Sequence, residues 1–176
     1  TALRKLIDNG TINENDIQLI FVGQTTAEDK KLVQLFDLEK ITEFKGYMHH
    51  RDSIAALQAA DLLFLPLHEP EGGKPALIVP GKTYEYLAAG VPILGLVPPG
   101  DVRNYLRESG LGFTCDPTNT EQIAGTVKEL LKQHQNSQGI AVTPNRDFIQ
   151  QFERRNLTQK LSTVLDFAVE RSSLKV

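Results

Sequence analysis

The chain has 176 residues, 40% of them apolar and 23% charged, and a formal net charge of −3. That length supports one sizeable core, and the slight acidity offers no basic face to displace counterions, which excludes nucleic acid as an expected partner. No apolar run approaches the roughly 20 residues of a membrane helix, and a single cysteine, Cys115, cannot close an internal disulfide, so the cytoplasm is the expected compartment.

In chain order, "TALRKLIDNG" reads as the last turns of an amphipathic helix closed by Asn9 and Gly10, so the chain is expected to be a piece of a longer protein. "IQLIFVG" is a continuous apolar run stopped by Gly23, the pattern of a parallel strand buried on both faces. "AEDKKLVQLFDLEK" has helical spacing, "ITEFKGY" gives a second strand, "RDSIAALQAA" a helix and "DLLFLPL" a third strand. "HEPEGGKPALIVPG" has no period and is rich in Pro and Gly, hence a loop. A helix from about Gly81 to Ala89 follows, stopped by Gly90, then the strand "VPILGLV", the helix "GDVRNYLRESG", the strand "LGFTC" and the helix "NTEQIAGTVKELLKQH". "QNSQGIAVTPN" is expected to be a connector, and "RDFIQQFERRNLTQKLSTVLDFAVE" one broken helix or two successive ones.

Repeated βα units predict an α/β fold: a Rossmann-like open parallel sheet of about five to six strands, with helices on both faces and extra C-terminal helices. The expected division is 1–144 for the sheet domain and 145–176 for a helical extension of it. Ligands of such sheets sit beyond the carboxyl ends of the strands. The loops that meet there run from Gly23 to Thr26, Gly46 to His50, His68 to Pro80 and Gly95 to Asp101.

Those loops carry Gly23, Gly46, Gly72, Gly73, Gly81, Gly95 and Gly100. Glycine lets backbone approach a ligand or simply turns the chain. The helix start at Gly81 is the most informative place: its free N–H groups sit at the positive end of a dipole, Lys82 adds a charge and Thr83 a hydroxyl donor, which together suit a diphosphate. Glu85 lies one turn on, where a carboxylate can accept two hydrogen bonds from a sugar diol or merely complement the dipole.

"LIFVGQ", "FKGYM", "ALQAADLLFLPL", "PGKTYEYLAAGVPILGL" and "SGLGFTCDPTNTEQIAGTVKELL", in that order and spacing, resemble the carboxyl-terminal half of a group 1 (family 4, GT-B fold) glycosyltransferase. The resemblance covers most of the chain. It implies the nucleotide-sugar half of a retaining enzyme with no metal in the site and no tightly bound cofactor, whose substrate is a UDP- or GDP-sugar. It makes Glu85 the second acid of a Glu-x7-Glu motif, holding the ribose. It lays Gly81, Lys82 and Thr83 on the diphosphate and puts the backbone at Tyr47 and Met48 against the base. Lys82, and Lys74 in the glycine-rich loop, are the groups expected to stabilise the leaving diphosphate. Position 77, where the motif's first acid belongs, holds Leu77. The family's catalytic Arg and Lys and its N-terminal acceptor domain lie upstream, so that domain is an expected partner and this segment alone is not expected to catalyse transfer. Polysaccharide or glycoconjugate synthesis is the implied setting, with association of the full-length enzyme with the inner face of a membrane left open.

Two alternatives stand beside this reading: a nucleotide-sugar epimerase of the sister GT-B group, and a non-catalytic α/β interaction module. His49 and His50 are expected to be loop or helix-start residues, not metal ligands, since neighbouring side chains diverge. His68, Glu69 and Glu71 sit in the ligand-side loop, and Cys115 is expected to be a small buried hydrophobe.

Overall fold

The computed structural model describes residues 1–68, 76–137 and 139–173, with no side-chain placement for 172 and 173. Among the described residues five strands alternate with helices: α1 (Ala2–Asp8), β1 (Leu19–Val22), α2 (Ala27–Leu35), β2 (Thr42–Gly46), α3 (His50–Ala59), β3 (Leu63–Pro66), α4 (Gly81–Ala89), β4 (Ile93–Leu96), α5 (Asp101–Glu108), β5 (Gly112–Cys115) and α6 (Thr120–Ser137). Two successive helices follow, α7 (Arg146–Gln150) and α8 (Arg154–Ser173). Short 3-10 turns at Glu14–Asp16 and Glu39–Ile41 lead into β1 and β2.

All strand pairs are parallel. The single open sheet expected from the βα repeat is divided among the described residues: β1 pairs with β2, and β3, β4 and β5 form a separate ladder in that order. The apolar run of β1 is also not buried on both faces, since Ile20 is 51% exposed and Val22 37%. Ile20 and Val22 alternate onto one face of β1, and it is that face that is left partly uncovered.

β4 is the strand that fits the buried pattern. Its Ile93, with Val97 just beyond it, joins Leu63, Leu65, Leu87, Val102, Leu106 and Leu111 in one core, against α4 and α5. Its Leu94 faces the opposite core with Cys115, Ala124, Val127 and Leu130, where Leu6 and Ile12 close the layer from the α1 side. Glycine sets the distance between layers: a Cβ at Gly95 would stand 2.5 Å from Leu106 Cδ1, and one at Gly112 would stand 2.8 Å from the Leu106 carbonyl carbon. So Gly95, expected among the ligand-lining glycines, makes room for α5 instead.

The C-terminal segment is tied to this body. Asn145 N–H donates to Ser109 O at 2.8 Å. Phe148 and Phe152 pack on Tyr105, with centroids 5.9 and 5.0 Å away, and Phe152 lies 5.2 Å from Tyr84. α8 leaves this cluster with Leu157, Leu161, Val164 and Leu165 exposed along its length. Among the described residues no helix is long and apolar enough to cross a membrane.

Candidate functional site

In a parallel sheet every connecting helix begins at the carboxyl edge, so that edge collects helix N-termini, each with amides that have no intrahelical acceptor. At several starts one of these amides is satisfied. At α2, Thr26 Oγ1 accepts from Asp29 N–H at 3.1 Å while Asp29 Oδ2 accepts from Thr26 N–H at 2.7 Å, a reciprocal capping box. The two Thr26 donors, backbone first and hydroxyl second, hold the Asp29 carboxyl below its ordinary range. At α5, Asp101 N–H donates to Ala76 O at 3.3 Å. At α6, Asn119 Oδ1 accepts from Gln122 N–H at 3.0 Å.

Three of these starts have no side-chain cap: α3 after His49, α4 after Pro80 and α5 after Gly100. At α4 the Thr83 N–H donates to Pro80 O at 3.0 Å. Proline in an extended conformation cannot supply a side-chain cap, so the first amides of α4, at Gly81 and Lys82, are left toward the edge with the positive end of the helix dipole. The helices α3 and α4 pack against each other.

Around them, helical spacing sorts the side chains of α4. Lys82 and Glu85, three apart, share a face and are exposed, with no ion pair or hydrogen bond among the described residues. Thr83 and Leu87, four apart, lie on the other face and are buried. Thr83 was expected to turn its hydroxyl toward a diphosphate; instead it is 0% exposed and its Oγ1 has no hydrogen-bond partner among the described residues. The packing face of α4 and not its cap decides this, because the residue that starts the Leu87 stripe has to point inward. Next to Glu85, Tyr86 is half-buried, and burial first and the Glu85 charge second push its hydroxyl pKa upward.

The remaining predicted positions fall on the same edge. Gly23 ends β1 at φ 112°, in the left-handed region that favours glycine, and its N–H donates to Gly46 O at 2.8 Å. It therefore fastens the tips of β1 and β2. Tyr47 is exposed and stands edge-on to His49 at 6.4 Å, ahead of α3, while Met48 is half-buried. His50 opens α3 and His68 is exposed beyond β3. Leu77, in place of the expected acid, is exposed. Gly72, Gly73 and Lys74, with Glu69 and Glu71, lie outside the described residues.

The β4–β5 end of the edge is closed by the protein itself. Arg103 Nε donates to Val97 O at 3.0 Å and its Nη2 reaches Cys115 O at 3.5 Å. Ala76 and Gly100 form a parallel bridge, and Ala76 N–H donates to Pro99 O at 2.9 Å. Gly100, expected to line ligand, is used to seat that loop: a Cβ there would lie 2.9 Å from both the nitrogen and the carbonyl carbon of Ala76. The Ala76–Gly100 clasp has no local sequence signal, since it joins two loops across the sheet. Cys115 is fully buried, with Sγ 3.2 Å from Thr126 Oγ1.

The part of the edge left open thus runs from Gly23 and Tyr47 to the start of α4, where, among the described residues, Lys82 and Glu85 are exposed. No group of three or more His, Cys, Asp or Glu side chains among the described residues could hold a metal. A groove lined by Thr1, Arg4, Lys5, Asp8, Asn9 and Phe36 runs along α1. Its side-chain cations are already paired, Arg4 with Asp8 and Lys5 with Glu121.

A family profile described as glycosyl transferases group 1 matches residues 1–142. The fold is similar to that of the Anabaena protein Alr3699/HepE in a crystal structure with UDP, at 19% identity and a TM-score of 0.67, covering 92% of this chain and 44% of that one. A second crystal structure of the same protein, with UDP and glucose, is similar at 18% identity and a TM-score of 0.62, covering 89% of this chain and 43% of that one. The chain thus spans less than half the length of these proteins, and at this identity the likeness is one of fold. No curated protein matches the sequence significantly.

Proposed function

Because the chain belongs to the group 1 glycosyl transferases, we propose that its open sheet edge binds the nucleoside diphosphate of an activated sugar. In this reading it is the donor half of an enzyme that passes the sugar to an acceptor. The observation that carries the proposal is the start of α4: it has no side-chain cap, and exposed Lys82 and Glu85 share a face beside it. A diphosphate supplies the acceptors that the Gly81 and Lys82 amides lack, and its charge suits both the dipole and the ammonium. Glu85, on the same face, accepts from a ribose diol. Thr83 is left out of the contact set because it is buried. In this reading Tyr47 and Met48, ahead of α3, meet the base with their backbone, and Gly23 lets that backbone come close.

In the transfer itself the anomeric C–O bond to the diphosphate breaks, and a new bond forms to an acceptor oxygen that gives up its proton. Negative charge grows on the leaving β-phosphate as this happens. Fixed amides and an ammonium aimed at that oxygen lower the barrier because they are already oriented when the charge appears. Lys82 fills this role in our reading, with Lys74 as a second candidate. The retaining outcome, the Rossmann-like unit at 1–144 with its helical extension at 145–176, and an N-terminal acceptor domain facing the exposed side of α8 belong to the same proposal. UDP is the first ligand to try because the similar Anabaena protein carries it.

Titration calorimetry of the chain with UDP and GDP tests the reading. Binding of at least one is expected, with Glu85→Ala weakening it about tenfold, the loss of roughly one charge-assisted hydrogen bond. No heat from either nucleotide at millimolar concentration would overturn it. An epimerase would bind the same diphosphate, and measuring sugar transfer against sugar inversion in the full-length protein separates the two.

A further inference from the structure

What seats α4 on the core decides where its outward groups stand. At about 100° per residue, the buried stripe of Thr83 and Leu87 has a tyrosine on either shoulder, Tyr86 about 60° round from Thr83 and Tyr84 about 60° round from Leu87. Glu85 stands roughly opposite the stripe and Lys82 about 60° from Glu85, both exposed. A helix seated on one stripe can roll about its axis, and its shoulders oppose the roll. The two shoulders are held differently. Tyr86 packs directly against the core cluster of Leu63, Leu65 and Ile93. Tyr84 is 37% exposed, and its ring rests on groups from other elements: its centroid lies 5.2 Å from Phe152, beyond α7, and 6.4 Å from Tyr105 on α5.

Phe152 is itself fixed in place. Its ring lies 5.0 Å from Tyr105 and 5.4 Å from Phe148 in an edge-on arrangement, and Phe152, Ile149 and Tyr105 all pack against the same core. The turn that carries it is anchored at both ends. Asn145 Oδ1 accepts from Phe148 N–H at 3.1 Å while Asn145 N–H donates to Ser109 O at 2.8 Å, and Phe152 N–H donates to Ile149 O at 3.2 Å. A rigid apolar ring, far from α4 in the chain, thus bears on the shoulder of α4 that lies between Leu87 and Glu85.

We propose that Phe152 is a positioning residue for the nucleotide site: through the Tyr84 ring it fixes the roll of α4, and with it the directions of Lys82, Glu85 and the first amides. This rests on the reading that the start of α4 takes the diphosphate. Side-chain tips lie about 5 to 6 Å from a helix axis, so a roll of about 20° displaces them by about 2 Å. A displacement of that size takes a donor or acceptor out of hydrogen-bond range. Phe152 has no polar group to offer a ligand, and its contribution to binding runs through the helix that it braces.

Titration calorimetry with whichever of UDP and GDP the 176-residue chain binds tests this, at a temperature well below the Tm of every variant. Phe152→Ala is expected to weaken binding about tenfold, and Phe152→Tyr, which keeps the ring, to retain it. Val127→Ala is the comparison for lost packing alone. It belongs to the other core cluster, which among the described residues includes none from α4 or α7, and it is expected to lower Tm and leave affinity unchanged. The brace and the site are also expected to be coupled: once Glu85 is alanine, Phe152→Ala should cost only about threefold more, because part of what it misplaces is already gone. Unaltered affinity in folded Phe152→Ala, an equal loss in Val127→Ala, or losses at Phe152 and Glu85 that simply multiply would each overturn the proposal and leave the nucleotide reading standing. No binding of either nucleotide by the unsubstituted chain would remove both. If Phe152→Ala does not fold, Phe152→Leu is read in its place, with an expected loss of about threefold.

Discussion

Replacing Thr83 by valine keeps the shape of the side chain and its β-branching and removes only the hydroxyl. That hydroxyl is fully buried and has no hydrogen-bond partner among the described residues. A buried polar group without a partner costs about 1 to 3 kcal/mol, and a buried methyl in its place contributes about 0.8 kcal/mol. Allowing for partial relaxation around the site, Thr83→Val is expected to stabilise the chain by about 1 to 2 kcal/mol, a rise of roughly 3 to 6 °C in Tm for a domain of this size. Urea unfolding followed by circular dichroism, without nucleotide, reads the change directly. The same variant is expected to bind UDP with unaltered affinity, because the side chain faces Leu87 and the core and not the open edge. A loss of stability would mean that the hydroxyl has a partner in the folded protein. A drop in UDP affinity with stability unchanged would mean that α4 turns Thr83 outward when ligand arrives, and the assignment of faces on this helix would be wrong.

Gly100→Ala is expected to destabilise by about 2 kcal/mol or more, since φ is 150° and the new Cβ would collide with the backbone of Ala76; thermal unfolding measures it, and an unchanged Tm would show that the Ala76–Gly100 clasp does not form. Gly112→Ala is expected to cost about 1 to 3 kcal/mol because α5 must move off β5, and a second substitution, Leu106→Ala, should not restore it, since the clash includes Leu106 backbone. At alkaline pH, Tyr86 sets a trend of known sign: its raised folded-state pKa favours the protonated phenol, so its contribution is complete below the unfolded value of about 10 and is lost as pH rises through the folded value. Tyr86→Phe should therefore flatten the fall in stability above pH 10, and an unaltered slope would place the ionising group elsewhere.

Much of the architecture is legible in local pattern. α4 runs from Gly81 to Ala89, as its residues predict, because Pro80 suits the extended N-cap and Gly90 adopts the left-handed stop at φ 71°. The strand β4 lies where "VPILGLV" predicts a strand, and it is largely buried. α6 outruns its expected end at His134 and continues to Ser137, since nothing in "QNS" forbids helix.

Local pattern also marked the start of α4 as the place for an anion, because a helix start, a lysine and an acid at set spacing are close in the chain. What it could not assign was the direction of each group. Thr83 and Glu85 differ by two residues, and which of them turns inward depends on where the β3–β4–β5 core lies, a matter of contacts between segments far apart in sequence. The same holds for the glycines. Gly23 fastens two strand tips, Gly95 and Gly112 admit Leu106, and Gly100 seats Ala76; their composition is alike and their partners are not. β1 shows the limit most plainly. Its residues ask for cover on both faces, and whether that cover is present is decided by the assembled fold, since hydrophobicity records the demand for burial and only packing can meet it.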